Sequence, residues 1–162
     1  MKIETIRLKN FKSFKELELT DLPSLAVFIG ANGTGKSTLF DVFGFLSDAL
    51  TNNVRSALQN RGGFKEVLSR GSTGLIEIEL QFRIEIAGKS RLVTYHLEIG
   101  QKSRHIYIER EFLRYKRGRY GSPFHFLEFS RGSGYAITNE EDFDKPDEEL
   151  EREEQKLSLI HI

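Results

Sequence analysis

The chain has 162 residues, of which 38% are hydrophobic, 30% are charged, three are proline and none is cysteine. This length suits one domain with a sizeable core, and the composition excludes a collagen-like or wholly disordered chain. The absence of cysteine excludes a disulfide scaffold, a thiolate metal site and a cysteine nucleophile. No apolar run reaches the roughly 18 residues of a membrane span and no signal-peptide pattern opens the chain, so we expect a soluble cytoplasmic protein without a membrane partner.

The formal net charge of zero is the sum of two opposed regions. Residues 1–139 hold 21 Lys and Arg against 14 Asp and Glu, a net charge of +7. Residues 140–154 hold ten acidic residues against two basic ones, a net charge of −8. A basic body of this kind suits polyphosphate and nucleic acid, and the acidic tail predicts a solvated segment.

The first fifty residues predict three strands and a helix. Residues 3–8 and 15–20 favour short strands, and the continuously apolar run 25–29 favours a strand covered on both faces. A helix is predicted from about Ser37 to Leu50. Its apolar residues recur at helical spacing, with two further phenylalanines off that stripe, so we expect it to be buried on more than one side.

Glycine and asparagine residues through 51–74 predict a loop with one short helical turn near residues 64–69. From residue 76 the hydrophobic period becomes two, as in a half-exposed antiparallel strand. The predicted meander of hairpins comprises strands at 76–86, 91–99, 105–115, 123–130 and 135–138.

Between the run 25–29 and the predicted helix lies a phosphate-binding pattern. Residues 30–37 read GANGTGKS and fit G-x-x-x-x-G-K-[ST], the P-loop or Walker A pattern. Its glycines let backbone N–H groups point at a phosphate chain, and the following helix aims its positive end at the same place. The pattern predicts ATP binding, with Lys36 reaching the β- and γ-phosphates as the candidate catalytic residue and Ser37 as the Mg²⁺ ligand.

These residues also resemble a known group. The stretches 7–14 (RLKNFKSF) and 28–41 (FIGANGTGKSTLFD) are similar to the N-terminus of SMC/RecF-type ATP-binding-cassette ATPases, especially bacterial AAA-family ATPases related to the OLD nucleases. The segments 61–64 (RGGF) and 68–71 (LSRG) resemble a stretch that recurs in those ATPases. The resemblance implies that the 10–14 segment lies near the nucleotide. The candidate nucleotide-binding residues are Gly30, Ala31, Asn32, Gly33, Thr34, Gly35, Lys36, Ser37, Thr38, Lys12 and Ser13.

The resemblance implies an α/β fold with α+β character, the first lobe of an ABC-type head in which a strand, the P-loop and a helix pack with an antiparallel meander. It also implies Mg²⁺-dependent ATP hydrolysis by a homodimer joined through the nucleotide, with DNA as a possible partner in repair, chromosome maintenance or phage defence. The expected organisation is a lobe over 1–138 (nucleotide-binding 1–50, loop with a short helix 51–74, antiparallel strands 75–138) and an acidic, partly helical or disordered, truncated tail over 139–162.

Two motifs that the group needs for hydrolysis do not stand out. An apolar strand ending in Asp-Glu would hold the Mg²⁺ water shell and activate water, but residues 139–142 follow only a short apolar run. The segment 131–134 reads as a hairpin turn rather than a signature motif. We therefore expect a first lobe that needs further motifs for turnover. The alternative is a non-hydrolysing nucleotide-binding or interaction module.

Two weaker candidate sites remain. The four histidines show no metal-ligand spacing, and solvated or structural roles are favoured for them. A basic hairpin tip interleaves cations with aromatic residues, as nucleic-acid contacts do, although a solvated hairpin or a partner for the acidic tail is the favoured interpretation. Its residues are Arg114, Tyr115, Lys116, Arg117, Arg119 and Tyr120.

Overall fold

The structure, a computed structural model, describes residues 1–86, 88–115, 124–137 and, for the backbone alone, 152–155. It is a mixed α/β fold, as predicted, in which the described strands form one antiparallel sheet and the helices pack on one of its faces. The strands are β1 (Lys2–Phe11), β2 (Phe14–Leu19), β3 (Ile76–Ile86), β4 (Lys89–Lys102), β5 (His105–Tyr115), β6 (Phe124–Ser130), β7 (Ser133–Ile137) and β8 (Arg152–Gln155). The helices are α1 (Lys36–Thr51), α2 (Val54–Gln59) and α3 (Phe64–Val67).

The sheet order is β2-β1-β3-β4-β5-β6-β7-β8, with every neighbouring pair antiparallel. The β1–β3 pairing brings residues about seventy positions apart into register, and β3 to β7 then follow one another as the predicted meander. The alternation in β3 is confirmed, since Ile76, Ile78 and Leu80 are buried on the helix side and Glu77 and Glu79 lie on the other.

The main core lies between the three helices and the inner faces of β1, β3, β4 and β5. Transfer of these side chains from water is the dominant stabilising contribution to such a fold. Leu8, Phe11, Val42, Phe45 and Leu97 lie near its centre and are almost completely buried. A smaller cluster of Val93, Tyr115 and Phe124 lies further along the sheet.

The apolar run 25–29 is not a strand, which corrects the prediction. Within the described residues no strand pairs with it, and only one of its sides faces α1, where Phe28 packs edge-on against Phe40. Leu25, Val27 and Ile29 point away from the protein with exposures of 82%, 75% and 92%. These three side chains form an apolar ridge. The composition suited a covered strand, but nothing in the described residues covers the second face.

The predicted helix is present as α1, but it is buried on one side only. Phe40 and Leu50 remain 59% and 52% exposed, so the expectation of burial on several sides is wrong for them. Phe45, which lies off the predicted stripe, is fully buried and edge-on to Phe11 at 5.8 Å between ring centroids. The face of α1 that contains Val42 and Phe45 is the one packed into the main core.

The loop 51–74 contains two helices instead of one turn. The additional helix, α2, begins where the Asn53 side chain accepts a hydrogen bond from the Ser56 backbone N–H at 2.7 Å, which satisfies one of the free donors at the helix start. Val54, Ala57 and Leu58 recur at helical spacing and are buried. The signal was therefore present in the sequence, within a glycine- and asparagine-rich region.

The acidic tail includes a strand at β8, which pairs with β7, where the sequence predicted a charged helix or a solvated segment. The rest of 139–162, including the acidic residues 139–142, lies outside the described residues. Among the helices that the structure describes, none has the length and apolarity to cross a membrane.

Candidate nucleotide-binding site

The P-loop lies at the N-terminus of α1, as its sequence pattern predicts. Gly33 and Gly35 adopt positive φ angles of 86° and 93°, a region that side-chain-bearing residues rarely adopt. Gly35 is the N-cap of α1 and its carbonyl accepts from the Leu39 N–H at 2.9 Å. No acidic residue lies in the first turn of α1, so no carboxylate of that turn neutralises the positive end of the helix dipole.

Lys36 curls back over the loop that precedes it. Its Nζ donates hydrogen bonds to the carbonyl oxygens of Gly30 and Ala31, both at 2.6 Å. Thr34 closes the same curve by donating its hydroxyl to the Ala31 carbonyl at 2.9 Å. The ammonium group is thus held inside the concave side of the loop, where a phosphate chain would be cradled.

The β1–β2 turn packs directly against the start of α1. The Ser13 hydroxyl donates to the Thr38 hydroxyl at 3.1 Å. A Cβ built on Gly35 would lie 2.7 Å from Phe14 Cζ and 3.1 Å from Ser13 Oγ. The structure therefore brings Ser13 and Phe14, which are distant in sequence from the P-loop, into contact with Gly35 and Thr38.

The backbone of this turn is tightly wound. Asn10 and Lys12 have positive φ angles of 56° and 50°. The Lys12 N–H donates to the Val67 carbonyl at 2.7 Å, and the Ser69 N–H donates to the Asn10 carbonyl at 3.1 Å. Two hydrogen bonds to the α3 region thus hold a left-handed conformation that asparagine tolerates but that is unfavourable for Lys12.

Sequence reasoning assigned no role to a network of ion pairs beside this turn. Lys12 Nζ lies 2.5 Å from Asp41 Oδ2, and Arg61 Nε donates to Asp41 Oδ1 at 3.0 Å. Arg61 Nη1 also donates to Asp48 Oδ2 at 2.6 Å, and the guanidinium lies 5.5 Å from the Phe45 ring centroid. The available signal was the seven-residue spacing of Asp41 and Asp48, which places two carboxylates on one face of a helix.

A broad cleft borders the β1–β2 turn on the side of α3. It measures about 870 Å³, and most of its charged lining residues are basic, namely Lys12, Lys15, Arg61, Lys65 and Arg70. Glu16 and Glu66 supply the negative charges. Part of the excess of Lys and Arg over residues 1–139 therefore lies in this cleft, next to the P-loop.

The residues present fit a magnesium nucleotide. Gly35 allows the turn to approach the P-loop so closely that a Cβ would collide with it, and Lys36 already lies inside the loop. Ser37 is exposed at the first turn of α1, where its hydroxyl is accessible to a cation. In the described residues no three His, Asp or Glu side chains gather closely enough to hold a metal, so a magnesium ion here would rely on Ser37, phosphate and water.

The weaker candidates fall elsewhere. Tyr115 is buried in the smaller core cluster, which contradicts its expected place on an exposed hairpin tip, and Arg114 lies over the Phe112 ring. Residues 116–123 lie outside the described residues. His96 lies 2.9 Å from Glu98 and stacks on Phe112, on the sheet face opposite the helices. Its contacts are those of a structural histidine.

The whole chain matches one known family. The sequence profile of the AAA ATPase domain matches residues 1–161. The chain belongs to this family. The chain is also similar to RecF proteins, which are named DNA replication and repair proteins, and this confirms the resemblance to SMC/RecF-type ATPases.

Three RecF relatives illustrate the extent of the similarity. Identity is 30% over 96 residues with the protein of Corynebacterium jeikeium strain K411, covering 56% of this chain and 22% of the relative. Identity is 40% over 57 residues with the protein of Lactococcus lactis subsp. lactis strain IL1403, covering 35% of this chain and 15% of the relative. It is 28% over 111 residues with the protein of Lactobacillus gasseri, covering 67% of this chain and 29% of the relative. This chain therefore spans less than a third of the length of these relatives.

A solved structure is also similar. It comes from work on ATP-driven dimerization and DNA stimulated activation of SMC ATPases, with 21% identity, a TM-score of 0.48, and coverage of 75% of this chain and 73% of the other.

Proposed function

We propose that this chain binds ATP with Mg²⁺ through residues 30–38, assisted by Lys12 and Ser13. In the full-length protein this site would belong to a dimeric, ATP-hydrolysing head of the SMC/RecF kind. Membership of an ATPase family and the P-loop pattern support the proposal. The observation that carries it is the position of Lys36 Nζ, which lies within 2.6 Å of two carbonyl oxygens on the concave side of the loop.

Each residue would make a distinct contribution. The loop N–H groups and the start of α1 offer partial positive charge to the phosphate oxygens. Lys36 adds a full positive charge that can move from the loop carbonyls to the phosphates, and Ser37 offers an oxygen ligand to the metal. Bound magnesium would neutralise phosphate charge. Ser13 and Thr38, joined by their hydroxyls, would keep the β1–β2 turn against the loop.

Binding can be tested with a fluorescent N-methylanthraniloyl ATP analogue and Mg²⁺. We expect Lys36→Ala to weaken binding at least tenfold, because the loop then loses its one full charge inside the curve. Lys89→Ala is a matched control, since Lys89 lies at the start of β4 in the meander. Equal affinity of wild type and Lys36→Ala would refute the assignment of the P-loop.

A second candidate is a module that binds nucleotide without hydrolysing it. It is favoured by the pairing of both carboxylates of α1, because Asp41 and Asp48 are joined to Lys12 and Arg61 and are therefore poor general bases as placed. Phosphate release from ATP by this chain, abolished by Lys36→Ala, would exclude that candidate. Binding without release would support it.

We also propose that this chain contacts DNA, and two observations support this. The relatives carry DNA replication and repair in their names, and the cleft beside the P-loop is basic. Salt titration of binding to duplex DNA would test this, because each phosphate contact that releases a counterion adds to the salt dependence. Loss of affinity without any change of salt slope in Lys65→Ala/Arg70→Ala would contradict contacts in the cleft.

A further inference from the structure

Asp41 is the point where two loops meet the helix that follows the P-loop. Its Oδ2 lies 2.5 Å from Lys12 Nζ, in the β1–β2 turn, and its Oδ1 accepts from Arg61 Nε at 3.0 Å. Asp41 follows Ser37 by four residues, which is about one helical turn or roughly 6 Å along the axis. A single carboxylate therefore links both cations to the beginning of α1.

The ion pair between Arg61 and Asp41 is largely buried. The Arg61 side chain is only 11% exposed, and besides Asp41 it contacts Asp48 and the Ala57 carbonyl. A Cβ on Gly44 would lie 3.1 Å from Arg61 Nη2, so the absence of a side chain there gives the guanidinium room to cross α1. Arg61 thus fixes the orientation of the Asp41 carboxylate.

The ion pair between Asp41 and Lys12 differs from the Arg61 contact, because Lys12 has a long and flexible side chain. Its backbone is held by Val67 and by the tight turn, but its ammonium group is held by Asp41. A free lysine side chain loses rotational freedom when a ligand immobilises it, and holding it in advance removes part of that penalty. The neighbouring Ser13–Thr38 contact shows that this turn already touches the start of α1.

We propose that Asp41 is a positioning residue for the nucleotide, which holds Lys12 beside the P-loop and is itself oriented by Arg61. The inference rests on the proposed function, since it concerns the same site. Asp41 does not touch the nucleotide and acts through Lys12. Its negative charge is compensated by two cations, so its presence near the phosphates does not oppose binding.

The test measures binding of the N-methylanthraniloyl ATP analogue with Mg²⁺ in variants whose folding is checked by thermal unfolding. We expect Asp41→Asn to weaken binding by about three- to tenfold, the range that immobilising one long side chain represents. Asp48→Asn is the matched control, because Asp48 pairs with Arg61 on the same face of α1, whereas Lys12 pairs with Asp41. We expect it to stay within about twofold of wild type.

A double-mutant cycle separates positioning from general destabilisation. Lys12→Met should weaken binding by itself, and in that background Asp41→Asn should cause less than about a twofold further change. A merely structural role would give the same loss in both backgrounds and would overturn the inference. Tighter binding by Asp41→Asn would also overturn it, since Asp41 would then compete with the phosphates for Lys12.

Failure of the proposed function gives a different result. If Lys36→Ala and wild type bind the analogue equally, or neither binds it, the P-loop assignment fails and this inference fails with it. If Lys36→Ala loses binding while Asp41→Asn matches wild type, only the role of Asp41 is refuted.

Discussion

The Phe14 ring lies over Gly35 with no room for a side chain between them. A Cβ on Gly35 would be 2.7 Å from Phe14 Cζ and 2.9 Å from Cε1. Phe14 begins β2 and Gly35 is the N-cap of α1, so this contact fixes the distance between the sheet edge and the P-loop. A glycine is needed here for two reasons, its backbone angle and the approach of the ring.

These two reasons can be separated by comparing two alanine substitutions. Gly35→Ala and Gly33→Ala both place a side chain at a positive φ, at a penalty of about 1–2 kcal/mol each, but only Gly35 has atoms within 4 Å of the new Cβ. We expect Gly35→Ala to lower the free energy of unfolding more than Gly33→Ala does. Adding Phe14→Ala should recover part of the difference in denaturant titrations. Equal losses would show that the contact is unimportant.

Arg61 should be sensitive even to a conservative change. Lysine can retain one ion pair but cannot reach Asp41, Asp48 and the Ala57 carbonyl together, so we expect Arg61→Lys to lose about 1–3 kcal/mol of stability. Arg7→Lys is the control, because Arg7 also joins two carboxylates but is 42% exposed, where ion pairs contribute about 0–1 kcal/mol. Similar losses in urea unfolding would contradict this ranking.

The buried pair of Tyr95 and Glu111 should contribute to stability. Tyr95 Oη donates to Glu111 Oε1 at 2.9 Å, and Glu111 is fully buried. Burial and the adjacent Glu111 carboxylate raise the pKa of Tyr95 well above its usual value, so the phenol remains a donor at alkaline pH. We expect Tyr95→Phe to lower stability by about 1–3 kcal/mol because a buried acceptor loses one donor. An unchanged unfolding midpoint would contradict this.

His96 should make stability depend on pH. Burial disfavours its charged form, but the carboxylates of Glu79 and Glu98 outweigh burial and raise the pKa of His96 above 6.5. Its stabilising contribution is therefore complete below the unfolded pKa and is lost as pH rises through the higher folded pKa. The thermal midpoint of wild type should fall more than that of His96→Gln between pH 6 and pH 8.5. Parallel curves would refute the coupling.

Glu79, which contacts His96, makes stability depend on pH in the opposite direction, because its contribution is lost as pH falls. Hydrogen bonding with His96, together with Arg7, lowers the pKa of Glu79 to about 2. Its contribution is present above the unfolded pKa of about 4.5 and is lost as pH falls toward about 2. We expect Glu79→Gln to be less stable than wild type at pH 6 and to lose less stability on acidification. Equal acid sensitivity of the two proteins would contradict this.

Local patterns were sufficient to predict most of the elements. The alternation of Ile76 to Ile86 with polar residues gave a strand whose bounds the structure reproduces, and the P-loop pattern placed the start of α1 within one residue. In both cases the periodicity or the motif lies within a single element. The residues that determine each of these elements therefore lie side by side in the sequence.

Long-range partners could not be predicted in the same way. The run 25–29 has the composition of a covered strand, yet no described strand pairs with it, because pairing depends on what lies beside it in space. The Asp41–Arg61 ion pair joins residues twenty positions apart, and no motif announces it. The contact of Phe14 with Gly35 likewise depends on how the β1–β2 turn meets α1.

The apolar ridge is a surface through which we expect molecules of this chain to associate as the protein concentration rises. Its three apolar side chains are largely exposed within five residues of one another, and exposed apolar surface favours association between molecules. Dimers or larger particles formed through the ridge would block or crowd the P-loop, which begins at the next residue, Gly30. An apparent nucleotide affinity would then drift as the protein is diluted. Lysine in place of Val27, at the centre of the ridge, would remove that drift.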